Sequence, residues 1–391
     1  MNAYKIIKYV RYIVCTILFS TLSTATVEAK EDLSHSVSIQ VGGAYNNITH
    51  YYMRGDNPDS RRLDKLSTLS LRYSFAHSPQ SRIGRAYPTA YQGIGIIANS
   101  FFAHKSLGTP LAVYLFQGCN ILDFSNSFSL GYEWNIGLSW GWVPNDAHSA
   151  YCNAMISVML PIKWKISPQC ELSIAPLYNH FSNGDTSFPN HGIDSFGARI
   201  GFTYHFEPQK VSAPGFDFFA PTLEADAKFK ERTSWDIVFY GGWRADRFTS
   251  NGKFILINEP IPNWGVQINP LYHFNHYFSL GVSLDIFTDM SANLYDAVLD
   301  NENNLISYSR PPLWQQTAIG VSLRGEIRMP IFAVGVGVGA NIIQHGYDMQ
   351  RLYSIFSLKA FVGKRTFLYL GYRLSTLKYT RNVMYGFGFR F

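Results

Sequence analysis

Three side chains of complementary chemistry fall on one face of one predicted hairpin. In the run Leu172–Ser182 the positions Leu172, Ile174, Pro176, Tyr178, His180 and Ser182 share a direction, because successive side chains of a strand point to opposite faces. In the returning run the corresponding set is Phe196, Ala198, Ile200, Phe202, Tyr204 and Phe206, and carried back towards the loop it reaches Asp194. A serine hydroxyl is a weak nucleophile until an adjacent imidazole takes its proton, and a carboxylate fixes the imidazole tautomer. The pattern therefore offers Ser182 as nucleophile, His180 as general base and Asp194 as orienting acid for attack on an acyl carbonyl. The loop between the strands, with Asn183, Gly184, Pro189, Asn190 and Gly192, adds backbone N–H groups and two amides that can hold an oxyanion.

His-x-Ser alone carries little weight. With 11 histidines, chance supplies about one such pair, and His104-x-Ser106 is one, with no Asp returning in matching phase. Ser375 and His345 also lack partners in phase and read as rim or loop residues. On periodicity alone the competing reading of the hairpin is an ordinary polar rim.

The elements that must position these residues are strands of period two. Phe128, Leu130, Tyr132, Trp134, Ile136, Leu138, Trp140 and Trp142 alternate with Ser129, Gly131, Glu133, Asn135, Gly137, Ser139 and Gly141, giving one apolar face and one small or polar face. That length exceeds the ordinary soluble strand and suits a tilted membrane strand. The same alternation recurs over Phe278–Ile286, Ile319–Glu326, Val334–Gly339 and Val383–Phe391, and Glu133, Asp285, Arg324, Glu326 and Arg390 all take the non-lipid parity, as the cost of a charge facing lipid requires. Aromatics make up 16% of the chain, which fits barrels with aromatic girdles at both membrane interfaces. The final strand, ending on Phe391, resembles the terminal signal of bacterial outer-membrane barrels. The expected fold is all-β, an antiparallel transmembrane β-barrel with roughly 14 to 16 strands in one ring; the alternative is two eight-stranded barrels in tandem. One ring is favoured because a single closure removes every sheet edge.

The organisation expected along the chain is a signal peptide over 1–29, a first set of strands over 30–206, a linker or periplasmic loop over 207–233, and a second set over 234–391. Lys5, Lys8 and Arg11 precede the apolar run Tyr12–Phe19, and small residues lead to Ala29; this is the order of a secretory signal, too short to span a bilayer as a helix. Cleavage is placed after Ala29, with Ala25 second. No later stretch has the apolar length of a membrane helix. The formal charge of +6 falls to about +4 once the signal leaves, a scattered excess that is no nucleic-acid footprint. Cys119, Cys152 and Cys170 form no C-x-x-C and no histidine cluster accompanies them, so no metal is expected; one pair could oxidise, leaving one thiol over. Gly335-x-Gly337-x-Gly339 sits inside an alternating strand without a following helix, so it is no nucleotide loop and is read as clearance for bulky lumen side chains.

The segment His180-Phe181-Ser182-Asn183-Gly184, followed by Pro189-Asn190, Gly192 and Asp194, resembles the catalytic hairpin of the lipid A 3-O-deacylase (PagL-like) family. The resemblance implies an outer-membrane barrel that hydrolyses an ester-linked acyl chain of lipid A, with lipopolysaccharide of the outer leaflet as partner and no cofactor. It also implies that Ser182 is nucleophile, His180 base and Asp194 acid, with Asn183 and Asn190 at the oxyanion. The family places a Glu fourteen residues beyond the His; here that residue is Asp194, the shorter acid. The second set of strands exceeds the usual family length, and at its corresponding place it has Leu374-Ser375-Thr376 without a His, so a second copy would be catalytically empty. A non-enzymatic barrel, either pore or surface protein, is the other function class, and the sequence leaves the oligomeric state open.

Overall fold

The computed structural model describes residues 33–208, 232–250, 253–300, 305–346, 348–375 and 379–391. The expected signal peptide lies outside these residues, as do positions 209–231 of the expected linker.

Alternation of apolar and small or polar residues becomes strand after strand, each hydrogen-bonded to its sequence neighbour in antiparallel register. In the first set β1 (Leu33–Asn46), β2 (Lys65–His77), β3 (Tyr91–Ser100), β4 (Gly108–Asp123) and β5 (Phe128–Trp142) follow one another around a wall. β6 (Cys152–Met159) and β7 (Ile162–Lys165) are the two halves of one interrupted strand, both lying between β5 and β8 (Cys170–Ser182). The break falls at Leu160-Pro161, where the proline has no N–H for the ladder. β9 (Ile193–His205) pairs with β8 on one side and with β1 on the other. Since β4 and β5 also pair, every strand has two neighbours and the ring closes with eight walls.

The second set repeats the plan. β10 (Thr233–Ser250), β11 (Lys253–His273), β12 (Phe278–Asp289), β15 (Thr317–Arg328), β16 (Phe332–Ile343), β17 (Leu352–Val362), β18 (Thr366–Ser375) and β19 (Tyr379–Arg390) form a closed barrel, while β13 (Tyr295–Asp300) and β14 (Leu305–Ser309) make a separate two-stranded ribbon. The expectation of one large ring is therefore corrected: two eight-stranded barrels stand in tandem. The reasoning from edges misled because two local closures remove edges as completely as one. What decides between them is the pairing of β1 with β9 and of β10 with β19, instead of any ladder between the two sets.

Outside positions are apolar and open to the surroundings: Ile39, Leu71, Ile96, Ile200, Val336 and Phe387 are all exposed. Inside positions are buried and polar or charged. Arg72 Nη2 donates to Glu133 Oε2 at 2.6 Å in the first lumen, and Arg324 Nη2 donates to Asp285 Oδ1 at 2.7 Å in the second. Barrels of eight strands leave an interior that side chains fill. The glycine run of β16 fits this: a Cβ on Gly337 would stand 2.7 Å from Arg324 Cδ, and one on Gly339 2.7 Å from Tyr353 Cζ. No described helix is long and apolar enough to cross a membrane; the crossing elements are the strands.

Candidate active site

The β8–β9 hairpin carries the three residues at the end opposite the chain termini of the first ring, where Phe206 N–H meets His35 O. In a barrel with periplasmic termini that far end is the outer-leaflet end. His180 and Asp194 are directly opposed in the ladder, and directly opposed residues bring their Cβ atoms to about 5 Å. The carboxylate consequently meets the ring: His180 Nδ1 and Asp194 Oδ1 are 2.8 Å apart. This bond fixes which ring nitrogen carries the proton and leaves Nε2 for the nucleophile. Both side chains are about one-third exposed, at 31% and 38%.

Ser182 shares their outward parity but is buried, at 6% exposure, beneath its own loop. Its Oγ accepts the Gly184 N–H at 2.9 Å and the Asn190 Nδ2 at 3.5 Å. No hydrogen bond joins Ser182 to His180 here, so the Asp–His–Ser succession is made at its first link and open at its second. Catalytic hydrogen bonds that are long or misaligned before substrate arrives are common. Asn190 sits where the resemblance puts it, with Oδ1 accepting the Asn183 N–H at 3.2 Å. The Asn183 amide does not face Ser182: its Nδ2 donates to Ser187 O and Oγ at 3.0 and 3.2 Å, so it shapes the loop.

Sequence reasoning missed two contributors. Tyr178, two positions before His180 on the same face, donates its hydroxyl to Asp194 Oδ1 at 2.6 Å; the parity that selected His180 and Ser182 also ran through it. The loop between β5 and β6 is the other. His191 N–H donates to Ala147 O at 3.0 Å, Ser149 N–H donates to Pro189 O at 2.9 Å, and Ser149 and Ser187 hydroxyls meet at 2.7 Å. His148 is buried in that clamp, stacked on Trp142 with centroids 5.9 Å apart. Gly192 is held at φ +65, and a Cβ there would stand 3.1 Å from His180 Cε1, so a side chain at 192 would press on the imidazole.

The other sequence candidates lie apart. Ser106 is fully buried, donating to Asp59 Oδ2 at 2.6 Å, while His104 Nδ1 lies 3.4 Å from Thr109 Oγ1; the pair serves loop structure. His345 packs edge-on against Trp314 at 4.6 Å, and Ser375 is buried. No disulfide joins Cys119, Cys152 and Cys170. Among the described residues no cluster of His, Cys, Asp and Glu could hold a metal ion.

Two closed antiparallel rings, apolar outside and polar inside, define a bacterial outer-membrane β-barrel protein. Residues 233–391, the second barrel, match the family model described as PagL_C, acyloxyacyl hydrolase, C-terminal domain; the hairpin with His180, Ser182 and Asp194 stands in the first barrel, outside the matched residues. No curated protein matches the chain. Among solved structures it is similar to Neisserial surface protein A, at 11% identity and TM-score 0.31 over 45% of this chain and 100% of that one. It is also similar to CdiB from Acinetobacter baumannii, at 9% identity and TM-score 0.20 over 93% of this chain and 60% of that one. The toluene transporter TbuX of Ralstonia pickettii aligns at 10% identity and TM-score 0.17, over 93% and 88% of the two chains. With scores this low, the fold rests on the chain's own ladders.

Proposed function

We propose that the protein is an outer-membrane serine esterase that removes an ester-linked acyl chain from lipid A. The observation that carries this reading is the 2.8 Å bond between His180 and Asp194 on an outward-facing rung beside Ser182. Ser182 Oγ attacks the acyl carbonyl as its proton passes to His180 Nε2. The oxyanion draws on the Gly184 N–H and Asn190 Nδ2 that now point at Oγ. Collapse expels the sugar hydroxyl, which takes the proton from His180, and leaves an acyl-Ser182 ester. Water, deprotonated by His180, then releases the fatty acid and restores the serine. This chemistry asks for no metal or cofactor. Buried ion pairs cross both lumens, Arg72 with Glu133 in the first and Arg324 with Asp285 in the second, which supports an esterase over a pore.

The test is mass spectrometry of lipid A from cells making the wild type or Ser182→Ala. Loss of one ester-linked acyl mass with the wild type alone is expected; identical lipid A from both, with each barrel folded in the outer membrane, would overturn the reading.

A further inference from the structure

The rim of the second barrel touches the loop that holds Asn190. The ladder between β10 and β11 slips by two residues between Arg244 and Asp246, where Ala245 alone stands opposite residues 258–260 of the bulged β11, so Ala245 has no partner in that ladder. A bulge of this kind releases a backbone group from the sheet and re-aims it. The Ala245 N–H donates instead to Asp185 O of the first barrel at 2.9 Å, and Ala245 is 1% exposed. Arg244 anchors the bulge from the lumen side, donating through Nε to Ser291 Oγ and through Nη2 to Asp246 Oδ2, each at 2.7 Å. Next to this contact the barrels meet so closely that a Cβ on Gly184 would lie 2.3 Å from Val383 Cγ2.

Asp185 joins that contact to the chemistry. Its φ of 59° is left-handed, a conformation that aspartate tolerates better than most side chains. Its carboxylate Oδ1 accepts Asn190 Nδ2 at 2.9 Å, and the same amide nitrogen reaches Ser182 Oγ. A chain of contacts therefore runs from the second barrel to the nucleophile: Ala245 N–H, Asp185, the Asn190 amide, Ser182.

We propose that the second barrel, which shows no triad among its described residues, is a positioning element of the site: the contact at Ala245 pins Asp185, and Asp185 aims Asn190 at the oxyanion. Ala245 and Asp185 are positioning residues, and the proposal rests on the esterase reading above. An offset of about 1 Å in such a group costs on the order of 100-fold in rate.

The test uses the full chain in outer-membrane vesicles with purified lipid A, measuring kcat and KM for the wild type, Ser182→Ala, Asp185→Gly, Asp185→Asn and Ala245→Pro. Gel migration before and after heating confirms that each barrel is folded. Asp185→Gly removes the carboxylate yet tolerates the left-handed backbone, and Ala245→Pro removes the N–H. Both are expected to lower kcat about 10- to 100-fold while KM stays within about twofold. Asp185→Asn keeps an acceptor oxygen for Asn190 and is expected to recover most of the rate. Wild-type kcat in both Asp185→Gly and Ala245→Pro, with Ser182→Ala inactive, would overturn the positioning role and leave the esterase standing; so would a change confined to KM. If Ala245→Pro does not fold, Val383→Ala, which loosens the contact of the second barrel at Gly184, stands in for it: a lower kcat is expected, and wild-type kcat there overturns the positioning role of the second barrel. A wild type with no Ser182-dependent hydrolysis would sink the esterase reading, and this proposal with it.

Discussion

The shorter acid at position 194 reaches His180 because the ladder sets the two residues face to face. An aspartate spans the gap between directly opposed strand positions, so the extra methylene of a glutamate has no distance to cover here. Tyr178 supports the same carboxylate oxygen that His180 uses, holding it while leaving His180 to meet the serine. Asp194→Asn keeps the shape but loses the negative charge and the fixed tautomer; kcat is expected to fall by about 10⁴-fold, as for the corresponding change in serine proteases. Asp194→Glu is expected to be less active than the wild type, because the longer side chain must buckle to keep the 2.8 Å contact. Initial rates of fatty-acid release from lipid A check both; an Asp194→Asn enzyme with full kcat would remove Asp194 from the mechanism.

At the scale of elements, the two loops that meet over Ser182 hold each other through a buried histidine. Burial, and then the neighbouring His191 and His180, push the His148 imidazole down to about 4, with His50 adding to the effect and a Gly192 backbone contact opposing it. The folded clamp therefore prefers neutral His148, while an opened loop protonates it near the ordinary value of about 6.5. The contribution is fully present above about pH 6.5 and drains as pH falls towards 4, by at most about 1.4 kcal/mol per pH unit. Hydrogen exchange at the His191 amide, which donates across the clamp to Ala147 O, is expected to lose protection over that window. His148→Phe, which keeps the stacking on Trp142 without a titrating group, is expected to flatten the dependence. Equal pH slopes in both proteins would place the sensitivity elsewhere.

For the whole molecule, each barrel needs a seam where its first and last strands meet. In the second barrel Asp236 of β10 faces Arg390 of β19 directly in register, and the seam is charged. Arg390 Nε and Nη2 both donate to Asp236 at 2.7 Å, Lys359 Nζ donates to it at 2.6 Å, and Glu326 joins both cations. All four side chains are buried. Removing one member of such a cluster leaves charge uncompensated in a low-dielectric interior and costs about 3–5 kcal/mol. Asp236→Ala is therefore expected to lower the urea midpoint of the second barrel markedly, followed by gel mobility and tryptophan fluorescence. An unchanged midpoint would mean that the seam is held by its backbone ladder alone. On the positioning role proposed for the second barrel, Asp236→Ala is also expected to lower kcat through the contact at Ala245.

Direction was legible along the chain: which side chains look outwards and which inwards, that Glu133, Asp285, Arg324, Glu326 and Arg390 belong inside, and that His180, Ser182 and Asp194 share a face. Each follows from the two-residue repeat of a strand, a local property that a few neighbours fix. Partnership was not legible. The choice of β9 for β1 and of β19 for β10, and the meeting of Asp185 with Ala245 of the second barrel, join residues far apart in sequence. Alternation says which way a side chain points but not which strand lies beside it, and register is settled only when every ladder, turn and seam closes together.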